Sequence, residues 1–359
     1  MKLFSCPTCG NRLYFENQQC LSCGTMVAFS APEDRFIPLP SGGYFACANG
    51  AECACNWAVT TDGLFCEACV LNRTIPDLSV DGNRARWIEV EAAKRRVIYW
   101  LMRRGLAVVP KASSGDEAGL AFAFLADGFG AGLAEERILT GYESGLVTLN
   151  LAEADAPYRE MMRIEMGERY RTLLGHFRHE IGHYYWDRLI RDDPEWLDRA
   201  RALFGDDTLD YAQALQRHYD EGPPARWEGS FITPYAASHP WEDWAETWAH
   251  YMHISDTLEM VAVLNMPLGR LNVESAEELP PNEGDFADKP AIAPEMPDLV
   301  SPEAFDDLLA RWLVLAEAAN CINRCMGMRD LYPFVISDMV SEKLRFVHEL
   351  LAEKGGFPA

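Results

Sequence analysis

The chain has 359 residues, 48% of them hydrophobic, enough for one large globular core with small modules attached. Its 32 basic and 55 acidic side chains leave a formal charge of −23, which repels phosphate backbones and argues against nucleic acid as a partner. No run approaches the roughly 18 continuous apolar residues of a membrane helix, and Met-Lys-Leu-Phe-Ser-Cys at the start lacks the apolar centre of a signal peptide.

Eleven cysteines in such a chain point to metal thiolates in a reducing, cytoplasmic setting rather than to disulfides. Cys6-x-x-Cys9 and Cys20-x-x-Cys23 are two turns, each followed by a glycine (Gly10, Gly24), and four thiolates close a tetrahedral structural zinc site. Arg12 to Phe15 fits a short hairpin between them. Residues 1–28 therefore read as a zinc ribbon, because so short a segment has too little core to fold without a staple. An irregular connector follows through Pro32, Pro38, Pro40, Gly42 and Gly43. Within residues 29–80, Cys66-x-x-Cys69 forms a second cysteine pair that needs two partners from Cys47, Cys53 and Cys55; spacing alone does not choose among them. Such modules serve either to bind a protein partner or to brace the rest of the chain.

Residues 72–79 read as a linker. Residues 84–105 have helical periodicity through Trp87, Val90, Ala93, Val97 and Leu101, with Gly105 as the stop. Residues 107–110 and 120–126 have strand character, Gly128, Gly130 and Gly132 read as a turn, and residues 145–151 alternate as a strand. Residues 152–159 read as a loop and 160–170 as a helical approach to the next segment.

That segment, residues 173–190, contains His179-Glu180-Ile181-Gly182-His183, an HExxH motif. Four residues is just over one helical turn, so both imidazoles face one way and can share a metal ion, while Glu180 can reach a water there and act as general base and then acid. Leu173, Leu174 and Phe177 before it, and Trp186, Leu189 and Ile190 after it, give the helix a buried apolar face. A catalytic zinc needs a third protein ligand and one open position. Residues 239–253 supply the best donors: Pro240 suits a helix entrance, Glu242 and Asp243 suit its first turn, and Glu242, Glu246, His250 and His253 share one stripe. The reading takes Glu242 as the ligand and Glu246, one turn on, as the acid that hydrogen-bonds a ligand imidazole. His250 and His253 read as satisfied polar side chains. Short surface helices are expected at 192–196 and 209–219, then a loop from 221 to 240. Residues 266–302, rich in Pro280, Pro281, Pro290 and Pro294, read as an irregular surface segment. Two amphipathic helices are expected over 305–325 and 334–351, with Cys321 and Cys325 as core thiols.

His-Glu-Ile-Gly-His followed by a helix with Glu-x-x-Ala-Glu resembles the gluzincin metallopeptidases, whose third ligand is a glutamate. More closely, LGHFRHEIGHYYW together with HPWEDWAETWAHY is similar to a family of zinc-binding metallopeptidases with N-terminal zinc ribbons, and the similarity extends over nearly the whole chain. It favours Cys47 and Cys55 as partners of Cys66 and Cys69, leaving Cys53 a free thiol. The helix also resembles that of the anthrax lethal factor type, in which a tyrosine seven residues before the ligand glutamate faces the zinc; Tyr235 stands at that spacing here, and the resemblance implies that it stabilises the oxyanion. In zincins a strand like 145–151 forms the cleft rim to which an extended substrate adds. A looser similarity is to a plant peptidase family that also joins zinc modules to an HExxH domain.

Together these imply an α+β architecture, a zincin-like peptidase domain over residues 81–359 behind two small four-cysteine modules, binding one catalytic and two structural zinc ions. The expected reaction is hydrolysis of a peptide or isopeptide bond. The alternatives are a binding or scaffold protein with an inactive HExxH site, and an amidohydrolase acting on a small conjugate.

Overall fold

The computed structural model describes residues 2–126, 138, 140–165, 168, 171–268 and 296–355. The expected turn at Gly128, Gly130 and Gly132 and most of the proline-rich segment after 268 lie outside them. The fold is α+β, with two cysteine clusters ahead of a mainly helical body.

The N-terminal part is a set of small antiparallel ladders. Strand β1 (Phe4–Ser5) pairs with β2 (Arg12–Leu13), β3 (Met26–Ser30) with β4 (Arg35–Leu39), and β5 (Phe45–Ala46) with β6 (Ala58–Val59); the one-turn helix α1 (Gly50–Cys53) separates the last two. Phe4, Phe15, Phe29, Phe36 and Trp57 pack edge to face in one cluster. That cluster closes on Tyr99 of helix α2 (Asn83–Arg103), with ring centroids 4.8 Å from Phe15 and 5.4 Å from Phe29. The cysteine-bearing segments thus share a core with the long helix that follows them.

A four-stranded sheet has the order β7 (Asn72–Thr74), β8 (Ala121–Leu125), β10 (Leu146–Asn150), β9 (Gly141–Glu143); β7, β8 and β10 are parallel and β9 is antiparallel to β10. Two strand expectations change. Residues 107–110 contribute only an isolated bridge from Pro110 to Leu120. Strand 145–151 is interior to the described sheet, because the short strand β9 pairs along its other side; the rim therefore falls to β9. Phe122 and Phe124 on β8 point at Phe177 of the HExxH helix, which fastens sheet to helix.

Residues 152–159 are not a loop. Asn150 caps a 3₁₀ turn over Leu151–Ala154 through the Ala152 amide, and helix α3 (Ala156–Glu165) follows with Pro157 in its first turn. Helix α4 (Leu173–Leu189) carries HExxH and is capped by Thr172. Helices α5 (Pro194–Phe204) and α6 (Tyr211–Glu221) begin at the aspartate caps Asp193 and Asp210. The segment to 240 contains 3₁₀ turns at Trp227–Gly229 and Tyr235–Ser238, then α7 (Pro240–Val263) opens with Pro240 in its first turn. Helix α8 (Phe305–Cys325) matches the expected span. Helix α9 (Asp338–Lys354) starts later than 334, where Ser337 caps it. Cys321 and Cys325 are exposed, not core thiols: they lie on the outer face of α8, while Phe305, Leu308, Trp312 and Ala316 face inward. None of the described helices is long and apolar enough to cross a membrane.

Candidate metal centre and its surroundings

Helices α4 and α7 cross at Gly182. A Cβ there would lie 3.0 Å from the Ala245 Cα and 3.3 Å from the Trp248 Cβ, so a methyl would press the two helices apart by a few tenths of an ångström and glycine avoids this. The Trp244 indole N–H donates to the Gly182 carbonyl at 2.7 Å, and Tyr185 stacks on Trp248 with centroids 5.2 Å apart. Glycine in a helix interior costs about 1 kcal/mol in propensity; here it permits the contact that brings the two polar stripes together.

At that crossing His179, His183 and Glu242 converge. The two Nε2 atoms are 3.2 Å apart, and Glu242 Oε2 lies 3.0 Å from that of His179 and 3.6 Å from that of His183. A tetrahedral ion with bonds of about 2.0–2.1 Å would need donor separations of about 3.3 Å. Glu242 is 1% exposed, and its Oε2 has no hydrogen-bond partner despite these short approaches. A buried carboxylate oxygen with no aligned hydrogen bond, only these two ion-pair approaches, is costly, and a shared cation would satisfy it. The chemistry of the donor set therefore fits zinc.

The second carboxylate has a different place. The His179 Nδ1–H donates to Glu246 Oε1 at 2.6 Å, so this ring is held from behind while its Nε2 faces Glu242. Burial opposes charge on His179, but Glu242 and Glu246 together raise its imidazole well above the usual range. Burial likewise works against ionisation of Glu242, and the charge of His183 leads the effects that hold its carboxyl well below the usual range. The cluster thus favours a bound positive charge. Trp241 covers His183, with centroids 4.0 Å apart, and Tyr142 of β9 lies beside both rings, 6.1 Å from His183 and 6.2 Å from Trp241.

Glu180 is buried, and desolvation raises its carboxyl above the ordinary value against the pull of His179 and His183. Tyr235 starts the 3₁₀ turn before α7; its ring is 6.0 Å from His179 and 6.1 Å from His218. Burial and then the Glu242 charge push its phenol well above the usual range, so it remains a hydrogen-bond donor. His250 pairs with the Tyr332 hydroxyl at 2.8 Å and His253 with Arg178, so both are engaged away from the cluster.

Helix α6 supplies residues the sequence reading missed. The Tyr211 hydroxyl donates to Glu242 Oε1 at 2.6 Å, and Tyr211 and Tyr219 both interact with Tyr235. Tyr211, His218 and Tyr219 fall at i, i+7 and i+8, an aromatic stripe at helical spacing that was a readable signal. His239 caps α7 by accepting from the Trp241 amide and donates through Nε2 to the Leu209 carbonyl, which ties the start of α7 to the entrance of α6.

The cysteines form two separate groups, Cys6 with Cys9, Cys20 and Cys23, and Cys47 with Cys55, Cys66 and Cys69. Sulfur separations are 3.7 Å for Cys6–Cys23 and Cys9–Cys20 and 3.6 Å for Cys55–Cys66. These are too long for disulfides and match the edge of about 3.8 Å of a zinc tetrathiolate with 2.3 Å bonds. Gly10 and Gly24, both at φ +73°, close the first two turns through amides donating to Cys6 and Cys20 carbonyls. The second group is entirely buried. Cys53 lies against Cys69 and Glu91 instead; its hydrogen bond with Cys69, and then burial, push its thiol far up, so it stays protonated. Lys94 and Arg95 flank Glu91, a poor setting for a further cation. Arg95 is itself buried, with Nη1 lacking a hydrogen-bond partner, and its charge is balanced by the Cys55 and Cys69 sulfurs as thiolates and by Glu91.

A family described as "Putative zinc-binding metallo-peptidase" matches residues 83–350, and one described as a zinc-ribbon domain matches residues 3–80. The chain is 42% identical over 356 residues to the uncharacterized proteins Rv2568c and MT2644 of Mycobacterium tuberculosis and Mb2598c of Mycobacterium bovis, covering 98% of this chain and 96% of each relative. No solved structure matches it significantly.

Proposed function

The chain belongs to this zinc-binding metallo-peptidase family, and on that premise we propose that it is a zinc-dependent peptidase, hydrolysing a peptide or isopeptide bond of a protein or peptide substrate with water. What supports the reading is the convergence of His179, His183 and Glu242 Oε2, which has no aligned hydrogen bond, with Glu180 buried beside them. In this reading those three residues hold one zinc ion, and the Cys6, Cys9, Cys20, Cys23 and Cys47, Cys55, Cys66, Cys69 groups hold one structural zinc each. Zinc at the histidine site supplies Lewis acidity, lowering the pKa of a water and polarising the scissile carbonyl.

The protein's own groups do the rest. Glu180 takes one proton from the attacking water as the new C–O bond forms and returns it to the leaving nitrogen as the C–N bond breaks. Tyr235, protonated at neutral pH, donates to the carbonyl oxygen as negative charge develops there. Glu246 keeps the His179 ring from turning. Eleven cysteines with no disulfide among them suit a cytoplasmic setting.

The test is digestion of an unbiased peptide library by the full-length zinc-loaded protein. Cleavage products should appear, vanish with a chelator, return with zinc, and be absent from Glu180→Gln, whose carboxamide cannot accept the proton; a loss of at least ~10²-fold is expected. No cleavage by the native protein, or equal cleavage by Glu180→Gln with equal metal content, overturns the reading.

A further inference from the structure

We propose that Tyr211 is a positioning residue that makes Glu242 a one-oxygen metal ligand and ties that ligand to helix α6. The inference rests on the metal-site reading given above and adds a residue outside its ligand set.

The two oxygens of Glu242 are used differently. Oε1 accepts the Tyr211 hydroxyl at 2.6 Å, a short bond of the kind formed to an ionised carboxylate. Oε2 has no hydrogen-bond partner and lies 3.0 Å and 3.6 Å from the two imidazole Nε2 atoms. One oxygen is thus occupied by a phenol and the other faces the donor cluster. A carboxylate with both oxygens free can turn and chelate. That would fill the position a catalytic zinc keeps open for water or substrate. The Tyr211 bond blocks this rotation.

The helix that bears Tyr211 is lightly attached. Among its residues only Ala214 is buried, and the outer surface of α6 is largely exposed. Its hold on the site runs through Tyr211 to Glu242, through His218 and Tyr219 to Tyr235, and through the Leu209 carbonyl to His239. One helix face therefore touches a ligand, the phenol proposed to meet the oxyanion, and the cap of the ligand's own helix. The Tyr211 ring also packs edge-on against His239 and Trp241, with centroids 5.3 and 5.6 Å away, which sets its hydroxyl toward Glu242.

The experiment uses full-length protein in which the histidine-site metal is exchanged for cobalt by a weak chelator that leaves the thiolate sites zinc-loaded. Tyr211→Phe removes only the hydroxyl. It should weaken zinc at this site by ~10–100-fold, as loss of an outer hydrogen bond to a ligand typically does. It should also lower the intensity of the cobalt d–d bands, the signature of a move from four toward five coordination as Oε1 joins. Tyr219→Phe, on the same helix but without a bond to Glu242, should leave affinity and spectrum unchanged. Circular dichroism and retention of both thiolate zincs establish that each variant is folded. An unaltered cobalt spectrum and unaltered affinity in folded Tyr211→Phe overturn the inference, as does an equal change in Tyr219→Phe. The outcome is independent of turnover: a native protein that cleaves no peptide, with Tyr211→Phe still altering the spectrum, would end the peptidase reading and leave this one standing.

Discussion

Glu246 and His179 are joined across two helices by a 2.6 Å bond from the ring Nδ1–H, one helical turn from the carboxylate that faces the same ring's Nε2. A single imidazole is therefore held between two acids with unequal duties. Glu242→Ala removes a donor and should abolish high-affinity metal binding at this site. Glu246→Gln keeps a hydrogen-bond acceptor of the same length and should lose less, about 10-fold, whereas Glu246→Ala should lose up to ~100-fold. Zinc competition with a chromophoric chelator ranks the three; a Glu246→Ala variant weaker than Glu242→Ala would reverse the assignment.

Gly182 sets the distance between α4 and α7. Gly182→Ala places a methyl 3.0 Å from the Ala245 backbone, and neither helix can give way cheaply because Trp244 and Trp248 are both fully buried at the crossing. We expect a destabilisation of about 1–3 kcal/mol, despite the better helix propensity of alanine. The wider crossing should also weaken zinc at the histidine site. A thermal melt and the same chelator titration measure both, and a more stable variant with native affinity would contradict the packing argument.

The two cysteine groups should respond unequally to loss of metal. Cys9 and Cys23 are exposed, whereas Cys47, Cys55, Cys66 and Cys69 are buried, with Cys69 against Glu91 and Cys55 and Cys69 near Arg95 of α2. Cys9→Ser should release one zinc with a modest effect on the peptidase region. Cys66→Ser should release one zinc from the buried site and disturb the Cys55 and Cys69 thiolates that help balance Arg95, so it should lower the melting temperature more than Cys9→Ser does. Zinc counting with parallel melts checks this; equal melting temperatures would show that α2 does not depend on the second site.

Helix α9 is latched to α7 by Lys343, whose ammonium lies 2.6 Å from Asp243 and 2.6 Å from the Ser230 carbonyl, with the two side chains 3% and 0% exposed. Lys343→Met should destabilise the fold, more so above pH 7, because burial already pushes the Asp243 carboxyl up to about 7 and its ammonium partner is lost. Adding Asp243→Asn should recover much of that loss, since a neutral amide costs less to bury. Denaturant unfolding of the single and double variants tests it; strictly additive losses would mean that the pair is not coupled.

Local patterns carried much of this chain. The HExxH spacing put two imidazoles on one face because a helix repeats every 3.6 residues, and the first two CxxC turns grouped four thiols because Gly10 and Gly24 close them. The α+β character and most helix spans followed from apolar periodicity, aspartate and serine caps, and Pro240 at a helix entrance. Shorter features changed where tertiary context outweighed local propensity: residues 107–110 make only the isolated Pro110–Leu120 bridge, and the strand at 145–151 forms as expected but has β9 along its outer side.

Other relationships depended on three-dimensional packing. That Glu242 Oε2 meets both histidines depends on the Gly182 crossing, and that its other oxygen is taken by Tyr211 depends on where α6 docks. The choice of Cys55 over Cys53 turns on which sulfur faces the cluster when α1 packs on α2, a difference that two neighbouring positions in a sequence do not express. Donor type and helical phase are properties of a segment and can be read from it, whereas the approach of one segment to another is set by side-chain volume at their contact and is decided only when the chain has folded.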